Sequence, residues 1–238
     1  PSIVTAALNR MINDAMTGKA VFYPFYTEGE KQERTGLFYY RGKPGAPFAL
    51  IFPGGGFSYV GSLHEGFPLA DVLSRKGYNA FVLQYRTGSQ AVAYEDMAAA
   101  LSWIFHHAEE LEISTQGYSL WGGSAGARMA VDLGSYGPAA FGGEQVPRPA
   151  AVVMGYTGHT RYTESDPPTF AVVSLDDPIA SPRVMERRIT ALNAAGVDTE
   201  FHLYRNAGHG FGLGTGTDAE GWIDYAVHFW EQHLTKKK

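Results

Sequence analysis

The sequence Trp121-Gly122-Gly123-Ser124-Ala125-Gly126 contains the pattern Gly-x-Ser-x-Gly and follows the mainly apolar run of residues 118–121. An apolar run that leads into this pattern predicts a strand, a sharp turn and then a helix. The backbone at the apex of such a turn is strained, and glycines two positions before and after it keep the helix clear of the strand. The helix N-terminus would lie beside Ser124, where unpaired N–H groups favour negative charge. Ser124 is therefore a candidate nucleophile; the alternative is a glycine-serine loop without chemistry.

Outside this turn, strand patterns alternate with helix patterns along most of the chain. The run Phe48–Phe52 has no polar alternation, which predicts a strand buried on both faces. Two aromatic-rich runs, residues 21–26 and 37–40, predict early strands joined by an exposed turn at residues 27–36. The remaining predicted elements are helices at residues 2–16, 67–76, 94–108, 183–195 and 217–233, and strands at residues 79–85, 150–154, 169–175 and 201–204. This order predicts an α/β fold with a mostly parallel central sheet, an antiparallel edge at its start, and helices on both faces.

Length and composition limit the class of protein. A chain of 238 residues, 45% of them hydrophobic and 18% charged, is expected to form one domain over residues 1–238. The net charge is -5, and no basic stripe exists apart from Lys236–Lys238, so nucleic-acid binding is not expected. Those lysines are expected to be a solvated end. No apolar run is long enough to span a membrane, and the lack of cysteine excludes disulfides and a thiolate nucleophile.

Neither a metal nor another cofactor is expected. No pair of histidines with metal-ligand spacing shares a helix face with a carboxylate. The sequence also lacks a signal-peptide pattern, so a cytoplasmic location is expected; secretion or a periplasmic location is the alternative if a leader preceded Pro1.

A serine nucleophile needs a base to remove its proton, and His209 is the best placed of the eight histidines. It lies in the glycine-rich loop Asn206–Gly212, directly after the last predicted strand. The flexible backbone of such a loop allows the imidazole to reach across the top of the sheet. Histidines at 106, 107, 228 and 233 fall inside predicted helices, where packing or surface roles are more common.

The base must in turn be oriented by an acid, and two candidates follow a predicted strand. The run Ser174-Leu175-Asp176-Asp177-Pro178 places both carboxylates at the carboxyl end of that strand. Asp177 is preferred because the following proline favours the extended backbone of a strand exit. Asp176 remains the second candidate, and an Asp-Asp-Pro turn without chemistry is the alternative to both.

The sequence Gly54-Gly55-Gly56 is the candidate source of hydrogen bonds to a developing oxyanion. Three successive glycines cost conformational entropy, and a purely structural turn rarely needs all three. The N–H of Gly55 or Gly56, together with that of Ala125 directly after the nucleophile, would form the oxyanion hole.

These residues resemble the α/β-hydrolase superfamily, in which glycine loop, serine, aspartate and histidine follow in this order. From about Phe48 onward the sequence is more narrowly similar to small bacterial acetyl esterases, in the motifs Pro53-Gly54-Gly55-Gly56-Phe57, Gly77-Tyr78, Leu83-Gln84-Tyr85-Arg86, Gly123-Ser124-Ala125-Gly126, Asp177 and Gly208-His209-Gly210-Phe211. The resemblance implies hydrolysis of short-chain acyl esters, with Ser124, Asp177 and His209 as the catalytic triad. It implies a small-molecule ester as the partner, with an acetylated sugar among the candidates. The acid of this family usually precedes Pro or Gly, which supports Asp177.

Two positions depart from the family pattern. Pro53 stands where the lipase-like branch has histidine, and Gly123 where Phe, Asp or Glu is frequent. The short chain leaves no room for a large cap domain, so an open site shaped by residues 57–66 and 155–168 is expected. Candidate substrate contacts in these segments are Phe57, Tyr59, Tyr156, His159 and Tyr162.

Two other functions fit the same fold. A peptidase of the prolyl-oligopeptidase type shares the order of the triad, but the lack of a propeller domain and the three-glycine loop count against it. A binding protein that uses the pocket without turnover is the second alternative, because a fold does not determine a function. The intact set of Ser124, Asp177 and His209 favours an esterase over both.

Overall fold

The computed structural model describes residues 2–234, and the lysines at 236–238 lie outside this range. The strands are β1 Phe22–Tyr23, β2 Gly36–Tyr40, β3 Pro47–Phe52, β4 Asn79–Gln84, β5 Ser114–Gly123, β6 Ala151–Gly155, β7 Thr169–Ser174 and β8 Thr199–Tyr204. The helices are α1 Ile3–Met16, α2 Gly29–Arg34, α3 Phe67–Arg75, α4 Gln90–His106, α5 Ala125–Tyr136, α6 Pro182–Ala194 and α7 Trp222–Gln232. A π-helical turn, Ser62–Gly66, precedes α3, and a 3₁₀ turn, Pro138–Phe141, follows α5. None of the helices within residues 2–234 is long and apolar enough to cross a membrane.

The eight strands found within residues 2–234 belong to one sheet, in the order β1-β2-β4-β3-β5-β6-β7-β8. Strand β2 pairs antiparallel with both β1 and β4, whereas every pair from β4 to β8 is parallel. The prediction of a mostly parallel sheet with an antiparallel edge is confirmed. Within the described range no inserted segment forms a cap domain.

Helices cover both faces of the sheet because its central strands are apolar on both sides. In β3, Phe48, Leu50 and Phe52 belong to the core that includes residues of α4, α5 and α6. The alternate residues, Ala49 and Ile51, belong to the opposite core, with residues of α1, α3 and α7. All five side chains are completely buried, as the unbroken apolar run predicted.

Two predicted segments differ from the structure in their local form. The exposed turn predicted at residues 27–36 contains the short helix α2, where an ion pair four residues apart joins Glu30 and Arg34 at 2.7 Å. The last helix, predicted to start at residue 217, begins at Trp222 instead. Gly221 has a left-handed backbone (φ +90), which cannot continue into a preceding helical turn. The segment before it forms turns, with Thr217 Oγ1 donating a hydrogen bond to the Gly214 carbonyl.

The parallel strands place several chain segments at the same edge of the sheet. The glycine loop follows β3, Ser124 follows β5, Asp177 lies just beyond β7, and His209 lies in the loop after β8. Ligands of open α/β sheets bind outside the carboxyl ends of the strands, and the predicted site residues collect at this edge.

Candidate active site

The turn at Ser124 is sharp because strand and helix approach each other too closely for side chains. Ser124 has φ +55 and ψ -120, an unusual conformation for a residue with a side chain. A methyl group on Gly126 would overlap the carbonyl of Phe52, and one on Gly122 would overlap the carbonyl of Gly126. Both glycines are thus required by close backbone approach. The result is a half-buried serine at the strand end, with the first turn of α5 beside it.

His209 connects Ser124 to Asp177. Its Nε2 lies 3.0 Å from Ser124 Oγ, and its Nδ1 lies 2.8 Å from Asp177 Oδ2. The Asp177 side chain is fully buried. Its second oxygen, Oδ1, accepts hydrogen bonds from the amides of Ile179 (2.7 Å) and Ala180 (2.8 Å). These contacts fix the carboxylate, which in turn orients the imidazole toward the serine.

Asp176, the second candidate acid, does not contact His209. Its Oδ1 accepts hydrogen bonds from Ser174 Oγ (2.5 Å) and from the amide of Gly208 (2.8 Å), the residue before His209. These two hydrogen bonds lower the pKa of Asp176. The neighbouring carboxylates therefore have different contacts: Asp177 holds the imidazole, and Asp176 holds the backbone next to it.

The glycine loop has a backbone that few other residues adopt. Gly55 has φ +140 and Gly56 has φ +61. The loop starts at a fixed point, since the buried Tyr85 hydroxyl donates to the carbonyl of Pro53 at 2.5 Å. Within residues 2–234 the amides of Gly55, Gly56 and Ala125 have no hydrogen-bond acceptor. These three donors are available to a bound group.

Ser124 and His209 open into a cavity of about 450 Å³. Its lining consists of Gly55, Gly56, Tyr59, Gly61, His64, Glu65, Ser124, Ile179, His209 and Gly210. Tyr59 and Ile179 are 65% and 74% exposed, so these two side chains form the outer rim of the cavity.

Of the candidate substrate contacts, only Tyr59 lines this cavity. Phe57 packs against the core instead, with its ring 6.4 Å from that of Tyr94. Tyr156 is buried beneath the site, with its ring edge-on to His209 at 5.2 Å. Tyr162 lies beside α6.

His159 lies away from the cavity, and the prediction that it contacts substrate is not supported by its position. Its Nε2 is 2.8 Å from Asp132 Oδ1, and both side chains are buried. Asp132 also accepts hydrogen bonds from Arg161 (2.9 Å) and the Tyr94 hydroxyl (2.6 Å). A buried carboxylate requires such partners, so the loop after β6 supplies His159 and Arg161 to the helix α5 rather than to the cavity.

Among the cavity residues other than glycine, three were not predicted: His64, Glu65 and Ile179. The first two lie in the segment 57–66, which was expected to shape the site, and a carboxylate in such a segment is the signal that could have identified Glu65. Ile179 carries no chemical signal in the sequence; it reaches the rim because the backbone after Asp177 turns to donate to that carboxylate.

Comparison with known proteins identifies the fold. The BD-FAE family profile matches residues 41–144, and that of the prolyl oligopeptidase family matches residues 146–237. The structure is similar to that of MGS-M1, an α/β-hydrolase enzyme from a Medee basin deep-sea metagenome, with a TM-score of 0.76 and 25% identity over 90% of this chain and 97% of that one. The chain has the α/β-hydrolase fold.

Two other proteins that resemble this chain are ester hydrolases by name. An acetyl ester-xyloside bifunctional hydrolase from Caldicellulosiruptor lactoaceticus has a TM-score of 0.77 and 20% identity, over 89% of this chain and 95% of that one. An acetylxylan esterase from Xylanibacter ruminicola is 22% identical to this chain, and the match covers 68% of this chain. The chain spans only 40% of the length of that esterase.

Proposed function

We propose that this α/β-hydrolase is a serine carboxylesterase that hydrolyses short-chain acyl esters, acetyl esters above all, through an acyl-enzyme intermediate. The observation that carries the proposal is the continuous contact from Asp177 through His209 to Ser124, which opens into a cavity lined by the glycine loop.

The first half of the reaction forms the acyl-enzyme. His209 Nε2 accepts the proton of Ser124 as Oγ bonds to the ester carbonyl carbon, and Asp177 stabilises the resulting imidazolium. The negative charge that develops on the carbonyl oxygen is accepted by the amides of Gly55 or Gly56 and Ala125. His209 then donates its proton to the departing alkoxide, which leaves as the alcohol.

The second half repeats these steps with water. His209 removes a proton from a water molecule, the resulting hydroxide attacks the acyl carbonyl, and the same amides accept the charge. Collapse of the tetrahedral intermediate breaks the bond to Oγ, which takes the proton back from His209. The products are the free acid and the restored Ser124.

The nature of the cavity supports a short acyl group and a polar alcohol. Glycines, His64, Glu65 and the exposed Tyr59 form most of the lining near the serine. Among the cavity residues within 2–234, Ile179 is the single aliphatic side chain, so a long acyl chain has few side chains of that kind to contact. An acetylated sugar fits this lining because its hydroxyls can bond to the polar groups while an aromatic ring contacts its apolar face. The names of the acetylxylan esterase and the xyloside hydrolase point to the same class of substrate.

The peptidase alternative is less favoured. The match to the prolyl oligopeptidase family covers residues 146–237, which include Asp177 and His209 but not Ser124. The segment with the nucleophile and the glycine loop falls instead within the BD-FAE match.

The proposal is tested by turnover of p-nitrophenyl acetate, butyrate and octanoate, acetylated xylo-oligosaccharides, and a Gly-Pro p-nitroanilide. We expect the acetyl esters to be the best substrates, and Ser124→Ala to lose at least about 10⁴-fold in kcat. The control is Ser135→Ala on the same helix, where the buried hydroxyl has no partner among residues 2–234. Full esterase activity of Ser124→Ala would refute the mechanism. Turnover of the anilide alone would favour the peptidase, and no turnover of any substrate would favour a binding protein.

A further inference from the structure

A carboxylate outside the triad joins two loops of the active site. Glu65 Oε2 accepts a hydrogen bond from the amide of Gly54 at 3.1 Å, and Glu65 Oε1 accepts one from the hydroxyl of Tyr156 at 2.7 Å. Gly54 begins the glycine loop after β3, and Tyr156 directly follows β6. In the sheet, β5 lies between β3 and β6. The bridge formed by these three residues therefore passes over the end of the strand that carries the nucleophile.

The bridge is packed against the backbone next to Ser124. A Cβ atom on Gly123 would lie 2.5 Å from both Glu65 Oε1 and the Tyr156 hydroxyl. A Cβ atom on Gly54 would lie 2.8 Å from Glu65 Oε2 and 3.1 Å from the Cβ of Ser124. Contacts under 3.0 Å are too short for a real Cβ atom, and the carbonyl oxygen of Gly123 also lies 2.8 Å from a Cβ atom placed on Gly54. The Glu65 carboxylate, together with this carbonyl and the Tyr156 hydroxyl, therefore leaves no space for a side chain at either glycine.

Tyr156 extends the contact to the catalytic histidine. Its backbone is left-handed (φ +37), its side chain is buried, and its ring lies edge-on to that of His209 at 5.2 Å. Burial, the charge of Glu65 and the hydrogen bond to it raise the pKa of Tyr156 well above its ordinary value. The hydroxyl consequently stays protonated and remains a donor to the carboxylate.

We infer that Glu65 is a positioning residue for the oxyanion hole, an inference that rests on the proposed function. By accepting the amide of Gly54, its carboxylate holds the start of the glycine loop so that the amides of Gly55 and Gly56 stay directed into the cavity. Hydrogen bonds to a charged acceptor are stronger than neutral ones, which suits a loop of three flexible glycines. Oxyanion donors act through their preorganisation, so a small displacement costs rate rather than binding.

The variant Glu65→Ala removes both hydrogen bonds. Loss of one oxyanion donor lowers kcat about 10²–10³-fold, and we expect misalignment of the loop to cost about 10²-fold with KM changed less than about threefold. Glu65→Gln is the conservative variant, because its amide oxygen accepts from Gly54 and its NH₂ group donates to the Tyr156 oxygen; we expect it to stay within about tenfold of wild type. Tyr156→Phe keeps the hydrogen bond between Glu65 and the Gly54 amide and removes only the hydrogen bond between Glu65 and the tyrosine hydroxyl. We expect an intermediate loss of kcat, about tenfold. The matched control is Glu110→Ala, which changes an exposed glutamate that is distant from Glu65 in the sequence.

A second readout separates positioning from general damage. Each variant is assayed with p-nitrophenyl acetate and with its thiono analogue, whose carbonyl oxygen is replaced by sulfur. Because sulfur accepts hydrogen bonds poorly, the ratio of oxo to thiono rates measures the oxyanion hole. We expect this ratio to fall for Glu65→Ala, to fall less for Tyr156→Phe, and to recover in Glu65→Gln. Partial unfolding lowers both rates equally and leaves the ratio unchanged.

The outcomes distinguish the two proposals. If wild type hydrolyses neither ester, or if Ser124→Ala retains the activity, the proposed function fails regardless of Glu65. If wild type is active and Ser124→Ala is not, an unchanged oxo-to-thiono ratio in Glu65→Ala overturns the role of Glu65. Thermal unfolding shows whether that variant folds; if it does not, the ratio in Tyr156→Phe decides, and an unchanged ratio there overturns the inference equally.

Discussion

Replacing Asp177 by asparagine tests how the acid controls the proton on His209. The amides of Ile179 and Ala180 both donate to Oδ1, at 2.7 and 2.8 Å, so the asparagine oxygen must take that position. Its NH₂ group then faces His209 Nδ1 in place of Oδ2. An NH₂ group can only donate there, so Nδ1 must accept and the imidazole proton must move to Nε2. In this tautomer His209 cannot accept the proton of Ser124.

The structure separates the chemical cost of this change from its effect on stability. Forcing the wrong tautomer on a triad histidine lowers kcat about 10⁴-fold, equivalent to about 5.4 kcal/mol of barrier. Folding should change little, because the asparagine keeps both backbone hydrogen bonds and the volume of the buried side chain. Asp177→Ala behaves differently. It leaves the backbone amides of Ile179 and Ala180 without an acceptor, at a cost of about 1–3 kcal/mol each, but it has no side-chain NH₂ group that would fix the wrong tautomer of His209.

The assay is steady-state hydrolysis of p-nitrophenyl acetate near neutral pH, with thermal unfolding of each variant. We expect Asp177→Asn to be stable and almost inactive, and Asp177→Ala to be less stable but no less active than the asparagine variant. The matched control is Asp176→Asn, whose carboxylate does not touch the histidine. Asp177→Asn with more than a tenth of wild-type kcat, or a larger loss in Asp176→Asn, would refute this account of the triad.

Three further predictions concern the surroundings of the site. Asp176→Ala frees the Gly208 amide beside His209, so kcat/KM for p-nitrophenyl acetate should fall about 10–100-fold, less than for Asp177→Asn. Gly126→Ala places a methyl group against the Phe52 carbonyl and should lower the free energy of unfolding in urea by about 1–3 kcal/mol or more, with loss of activity. Asp132→Asn removes the buried negative charge that contacts the buried His159 and the more exposed Arg161, and it should cost about 3–5 kcal/mol at pH 7.

The cost of Asp132→Asn depends on pH in a definite direction. Burial alone would raise the pKa of Asp132, but hydrogen bonds from His159, Tyr94 and Arg161 outweigh it, and the pKa is lowered. A carboxyl with a lowered pKa in the folded state contributes stability above its unfolded pKa of about 3.9 and loses it as the pH falls through the folded value. The difference from wild type in urea unfolding should therefore be largest near pH 7 and shrink below about pH 4. If wild type and Asp132→Asn differed in free energy of unfolding by the same amount at pH 7 and at about pH 3.5, the lowered pKa of Asp132 would be contradicted.

Controls and contrary results for the other two variants are simple. For Gly126→Ala the control is Gly158→Ala, where an added Cβ has nothing within 4 Å, and equal stability of the two variants would contradict the close approach of α5 to β3. For Asp176→Ala, a loss of activity as large as that of Asp177→Asn would show that the two carboxylates do not have the separate roles that their contacts indicate.

Local sequence patterns determined most of the fold. The unbroken apolar run of β3, the turn around Ser124 and the alternation of strands and helices act over a few residues each, and each predicts its own element. Parallel strands then bring the loops at their carboxyl ends to one edge of the sheet. For this reason the order glycine loop, Ser124, Asp177 and His209 was sufficient to predict that these residues meet.

Only the tertiary structure decided which side chains surround Ser124. His159 and Tyr162 lie in a loop expected to shape the site, but the buried Asp132 pairs with His159, and Tyr162 lies beside α6. The bridge from Glu65 to Tyr156 joins residues that are 91 positions apart in the chain. No local pattern encodes such a contact, because it depends on how two loops pack over the strand between them. The sequence by itself thus determined the proposed nucleophile and base and the edge of the sheet at which they meet, whereas packing between distant segments decided which side chains line and support the cavity.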